Sequence, residues 1–156
     1  MRFGAHTSTS GGLSKAIERA LQIGAEICQI FVKNNMQWFG RQQTPAELAQ
    51  YANDFNACGF ACVFGHSGYL INLGAPPSKN RDYSLKSLLQ EIDLATNLEL
   101  PFLVMHPGAH LETGEANGIK RIVAGLNDGG IERGGNSSNV CENFRISAIT
   151  PYIWAT

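Results

Sequence analysis

Three histidines and one glutamate in this chain stand where a strand is expected to end. His6 follows RFGA, His66 follows ACVFG, His106 follows PFLVM, and Glu142 follows Val140-Cys141. Imidazole nitrogen and carboxylate oxygen are zinc ligands, and a His₂Glu set leaves one metal position open for water or substrate. The last three of these residues are separated by 40 and 36 positions. That spacing puts them on successive strands, not on one helix face as an HExxH arrangement would. Taken alone, a strand-end histidine such as His6 is more often a hydrogen-bonded structural residue. Two loops indicate what such a site would handle. KNNMQWFGR (33–41) carries Lys33 and Arg41, no acid, and the pair Trp38-Phe39. Cations beside aromatics suit the phosphates and bases of a single strand or a distorted duplex; the same loop also reads as a connection with a hydrophobic anchor. Tyr69-Leu70-Ile71 begins three residues after His66, where a bulky apolar tip either wedges into a base stack or packs on its own fold.

The elements that must position these residues alternate between short apolar runs and helical patterns. Strands are expected at Arg2–Ala5, Ile27–Val32, Ala61–Gly65 and Pro101–Met105, with a fifth starting at Val140-Cys141. Helices are expected between them. The first has Ser10 as N-cap, Leu13, Ile17, Ala20 and Leu21 at helical spacing, and Gly24 as its stop. The second starts at Thr44-Pro45 with Glu47 at the third position, a capping-box pattern, and runs to about Ala57. The third spans Tyr83–Asn97 with Leu85, Leu88, Leu89, Ile92 and Ala95 on one face, and the fourth spans Ile119–Leu126. Alternation of this kind, with strands apolar throughout, predicts an α/β fold with a parallel sheet covered by helices. Four βα units and a fifth strand make about half of a (β/α)₈ barrel, which needs ~250 residues. A smaller open sheet and a partial barrel both remain compatible with the rhythm.

Composition narrows the class. The chain has 156 residues, 44% hydrophobic and 16% charged, with a net charge of -1, so no global basic field marks a nucleic-acid partner. No apolar run reaches the ~18–20 residues of a membrane span, and the N-terminal MRFGAHTSTSGG is too polar for a signal peptide. The cysteines at 28, 58, 62 and 141 form no CxxC pair, which predicts reduced thiols and a cytoplasmic location. Seven glycines lie between Gly114 and Gly135, and the closing NFRISAITPYIWAT follows neither structural period.

Four motifs resemble the endonuclease IV family of apurinic/apyrimidinic endonucleases: GAHTSTSGGL (4–13), FVKNNMQW (31–38), HSGYLINLG (66–74) and HPGAH (106–110). The resemblance covers residues 1 to about 126 and then NVCEN (139–143). It implies a partial (β/α)₈ TIM barrel in residues 1–143, with an off-family tail at 144–156; the glycine content of residues 127–156 predicts that this tail is disordered. The resemblance also implies zinc-dependent hydrolysis of double-stranded DNA 5′ to abasic sites, in base excision repair. By the same resemblance His66 and His106 are zinc ligands, Glu142 is a carboxylate bridging two zinc ions, and His6 lines the active site. Lys33, Asn34, Gln37, Trp38, Tyr69 and Leu70 are DNA-facing, Tyr69 and Leu70 filling the space left by a flipped abasic nucleotide. The family usually places a basic residue where this chain has Met36. Three zinc ions serve the family, whereas the ligands named here hold at most one. The chain is therefore expected to be an inactive fragment that self-associates through unpaired barrel edges. A metal-dependent sugar isomerase or epimerase of the same barrel superfamily, and a non-catalytic DNA-binding half-barrel, are the alternatives.

Overall fold

The computed structural model describes residues 1–128 and 145–148. Their order is β1 (Gly4–His6), α1 (Leu13–Gln22), β2 (Ile27–Phe31), α2 (Pro45–Cys58), β3 (Cys62–His66), α3 (Lys79–Asn97), β4 (Phe102–Met105), α4 (Glu115–Asp128) and β5 (Arg145–Ala148). The sheet is wholly parallel with strand order β1-β2-β3-β4-β5. Each crossover steps to the adjacent strand in the same direction. Because such connections are right-handed, the helices fall on one face of the sheet. An open doubly wound sheet would reverse direction at a switch point. Sequential order is the signature of a barrel wall, so the topology decides between the two architectures the sequence left open.

Burial follows from that arrangement. Cys28, Ile30, Val63, Leu103 and Met105 point to the helices and join Ala16, Ile17 and Ala20 of α1, Tyr51 of α2, and Leu88, Leu94 and Ala95 of α3 in one core. The alternate residues Ile27, Gln29, Phe31, Cys62, Phe64 and Phe102 lie on the opposite, inner face and are only partly covered. Phe64 and Phe102 stack there with ring centroids 4.8 Å apart.

Several local expectations shift. In α2 the capping box forms as read: Thr44 Oγ1 accepts the Glu47 N–H, and Glu47 accepts the Thr44 N–H at 2.8 Å. In α1 the cap is Gly12, with no side-chain capping bond, and not Ser10. Gly11 and Gly12, at φ of 87° and 121°, carry the chain through a turn that L-side chains avoid, which leaves Ser10 short of the capping position. α3 starts one turn earlier than its apolar period, because Ser78 caps it by accepting the Arg81 N–H. Its buried stripe runs through Ser84, Ser87, Leu88, Glu91, Leu94 and Ala95, while Leu89 faces solvent. Leu21 of α1 is likewise exposed. The fifth strand lies at 145–148, in the segment whose pattern showed neither period; Val140, Cys141 and Glu142 fall outside the described residues. Among the described residues no helix is long and apolar enough to cross a membrane.

Candidate metal and nucleic-acid site

His6 and His66 are the last residues of β1 and β3, and His106 directly follows β4. Parallel strands in sequential order bring their carboxyl ends to one rim, where barrel enzymes place their chemistry. The strand registers, Phe31 with His66 and His66 with Val104, set these residues side by side. The ring centroids of His66 and His106 are 5.3 Å apart, and those of His6 and His66 are 5.8 Å apart.

Two imidazoles sharing a tetrahedral zinc through bonds of ~2.0–2.1 Å hold their centroids about 5 Å apart. The His66–His106 pair meets that requirement. His66 Nδ1 lies 2.7 Å from the Ser67 carbonyl. Donation there fixes the tautomer and leaves Nε2 with its lone pair for a metal, the partner arrangement usual for ligating histidines. Burial is the main cause of a His66 pKa below the ordinary 6.5, with the Ser67 bond opposing and His106 adding to the fall. The ring is thus kept neutral, as a ligand must be. Among the described residues no group of three or more His, Cys, Asp or Glu gathers to complete a metal site, and Glu142 lies outside them. The residues present fit two donors of a zinc site.

Phe31, absent from the residues singled out by type, is the hub of this rim. Its ring centroid lies 4.3 Å from His6, 5.5 Å from His66 and 5.2 Å from Tyr69. The signal for it was parity: Phe31 is two residues beyond Gln29 on the inner face of β2. An open cleft of about 750 Å³ lies beside it, lined by His6, the hydroxyl-rich Thr7–Ser10 turn, Asn34, Asn35 and Tyr69.

The loops separate into outward and inward residues. Tyr69 is 60% exposed, Leu70 is half-buried, and Asn34 and Gln37 are exposed. Trp38 is half-buried and packs edge-on against Tyr83 of α3 at 5.7 Å, with Phe39 on the same ring at 5.9 Å. That is the hydrophobic anchor which the sequence left as the other reading of this loop. Lys33 departs from its expected place. Its ammonium makes a 2.8 Å ion pair with Glu91, with side chains 4% and 0% exposed, and donates to the Gln37 carbonyl at 2.6 Å. A phosphate-facing cation would stand in solvent; this one is enclosed because α3 carries a carboxylate in its buried stripe.

The loop after β3 is sewn to the loop after β4. Asn72 Oδ1 accepts the Ala109 N–H at 3.0 Å, and the Leu73 N–H donates to the Pro107 carbonyl at 2.9 Å. Gly108 has φ 109°, and a Cβ there would fall 2.0 Å from Asn72 Oδ1. Only glycine admits that approach, and the contact holds the loops of His66 and His106 together.

Residues 17–130 match the family model of xylose isomerase-like TIM barrels. The chain belongs to the xylose isomerase-like TIM barrel family. Among relatives within it, the chain is 42% identical over 124 residues to "Probable endonuclease 4" of Geobacter sulfurreducens, a match covering 80% of this chain and 42% of that protein. A protein of the same name from Campylobacter concisus is 40% identical over 115 residues, covering 72% of this chain and 41% of its own length. The chain thus spans somewhat under half the length of these relatives. Endonuclease IV of Thermus thermophilus superposes with a TM-score of 0.70 at 27% identity, over 85% of this chain and 48% of that one. A D-psicose 3-epimerase superposes with a TM-score of 0.59 at 16% identity, which shows the shared TIM barrel fold alone. The resemblance to endonuclease IV read from the four motifs therefore holds.

Proposed function

We propose that this chain carries the zinc-binding, lesion-recognising part of an endonuclease that hydrolyses double-stranded DNA 5′ to abasic sites in base excision repair. The observation that carries the proposal is the placement of the His66–His106 pair, 5.3 Å apart, directly beside the exposed ring of Tyr69. A sugar pocket has no use for a protruding aromatic next to its metal. A DNA rim does, since an abasic nucleotide leaves a gap in the stack and is cheap to flip. The names of the relatives support the same reading.

His66 and His106 would hold the metal, with Glu142 as the third donor. Bound zinc lowers the pKa of its water to ≈ 7 and neutralises charge on a phosphoryl oxygen. The Ser67 carbonyl orients His66. His6, against the ring of Phe31, lines the rim. Tyr69 and Leu70 fill the gap in the stack, while Asn34 and Gln37 meet the flanking backbone. Two imidazoles and one carboxylate supply ligands for a single zinc, so to the chain alone we assign lesion binding with little cleavage. Metal content and cleavage of a duplex bearing one tetrahydrofuran abasic analogue provide the test. One zinc per chain, lost in His66→Ala, with preferential binding of the abasic duplex and only trace cleavage, is expected. Absence of zinc and equal binding of intact and abasic duplexes would refute the function; efficient cleavage would refute the single-zinc assignment.

A further inference from the structure

One turn of α3 braces both loops that flank the metal rim. Glu91 is fully buried in a stripe that otherwise carries leucine, alanine and serine. Both of its carboxylate oxygens lie 3.1 Å from the Gly68 N–H, and Lys33 closes the group at 2.8 Å. A Cβ on Gly68 would meet Glu91 Oε1 at 3.1 Å, the Asn35 carbonyl at 3.2 Å and Lys33 Nζ at 3.2 Å, so the loop backbone is seated directly on the ion pair. The next residue, Tyr69, donates its N–H to the Asn35 carbonyl at 3.1 Å. The neighbouring Gln90 forms two bonds to Gly40, accepting its N–H at 2.8 Å and donating to its carbonyl at 3.0 Å.

We propose that Glu91, paired with Lys33, is a positioning residue that sets where Tyr69 and Leu70 stand relative to His66. This rests on the DNA-directed function proposed above. A buried ion pair is no strong source of stability, because desolvation offsets most of the attraction and an apolar pair of similar volume serves as well. What Glu91 provides, and an apolar side chain would not, is an acceptor for Gly68. The second consequence concerns Lys33: its charge is spent within the chain and neutralises no DNA phosphate.

Two double variants of the full chain separate these roles. Lys33→Met/Glu91→Leu keeps the packing and removes the acceptor; Lys33→Met/Glu91→Gln removes both charges and keeps an amide oxygen for Gly68. Hydrogen exchange of residues 66–70 and fluorescence anisotropy with intact and tetrahydrofuran-containing duplexes are measured on both, across a salt series. In the first variant exchange is expected to quicken about tenfold or more, the cost of leaving the buried Gly68 N–H without an acceptor, and the preference for the abasic duplex to be lost. In the second variant both return close to the parent. The salt slope stays the same in all three proteins, because no phosphate contact is removed. Parent-like exchange in the first variant would overturn the positioning role, and so would a salt slope lowered by about one in both variants, since that marks a lost phosphate contact. Should the parent chain itself show no preference for the abasic duplex, the DNA function fails. The exchange rates then decide the brace alone: fast in the first variant and parent-like in the second supports it, and equal rates overturn it.

Discussion

Gly65 lies where β3 pairs with β4, one residue before His66, and filling it should damage the fold by a calculable route. It pairs with Leu103 across β3 and β4, on the helix side of the sheet. A Cβ at Gly65 would stand 2.8 Å from Leu103 Cδ1, 3.2 Å from Val32 Cγ1 and 3.4 Å from Leu100 Cδ1. All three neighbours are buried, Leu103 completely, so none can move aside without displacing the core. Overpacking of this kind costs ~1–3 kcal/mol. At ~2–4 °C per kcal/mol for a domain of about 150 residues, Gly65→Ala should lower Tm by roughly 2–12 °C. Leu103→Ala alone should cost ~2–5 kcal/mol by leaving a cavity. Combined, the added methyl occupies part of that cavity, and the double variant should be more stable than the sum of the singles by ~0.5–3 kcal/mol. Urea unfolding of the four proteins, followed by far-UV circular dichroism, measures the coupling. Additivity within ~0.5 kcal/mol would refute the reasoning. It would mean that Gly65 does not face Leu103, and the register that carries His66 next to Val104, two residues before His106, would fall with it.

Three further outcomes follow from the site and its supports. Zinc at 100 times its Kd should stabilise the chain by ~2.7 kcal/mol, and both His66→Ala and His106→Ala should abolish the thermal shift; retention in either variant would show that the pair is not the ligand set. Burial holds the His66 pKa below its ordinary 6.5, so the unfolded chain takes up this proton first. Its contribution to stability is complete above about that pH and is lost as pH falls through the folded-state value; a urea midpoint that rises on acidification through this range would contradict the burial of the ring. Thr44→Ala should cost ~1 kcal/mol through the lost cap of α2, whereas Ser10→Ala should be close to neutral because Gly12 holds the cap of α1; equal losses in thermal melts would restore Ser10 as the cap.

Much of the architecture was legible because two periods suffice for it. Apolar runs of strand length and helices of period 3.6 gave the βα order, and the Thr44-Pro45-Glu47 pattern located a helix start to the residue. Element ends were harder to read. The first turn of α3, Lys79–Asp82, is polar and has no apolar period, so only the Ser78 cap signals it. β5 at Arg145–Ala148 pairs with β4 in a segment whose own residues show no strand period, since pairing is supplied by the neighbour. The strand-end histidines were legible for a stronger reason. A parallel sheet in sequential order must bring residues at successive strand ends to one rim, whatever the loops do.

Loop residues have no such guarantee, and here residue type misled. KNNMQWFGR reads as a cationic loop, yet both of its cations are paired within the chain. Lys33 is enclosed by Glu91, 58 positions later in sequence, and Arg41 donates to Glu47 at 2.8 Å. Pairing with Arg41 is the main reason the Glu47 carboxyl is held at about 2. Apart from Arg41, whose side chain is 71% exposed but paired with Glu47, what the loop turns outward is neutral: Asn34 and Gln37 are exposed, and Met36 is 64% exposed. Counterion release therefore supplies little of any affinity this loop has for DNA. Under the function proposed above, recognition from here rests on shape and on the gap that a missing base leaves. That is the condition under which the position of an uncharged wedge, Tyr69-Leu70, matters more than the number of cations around it.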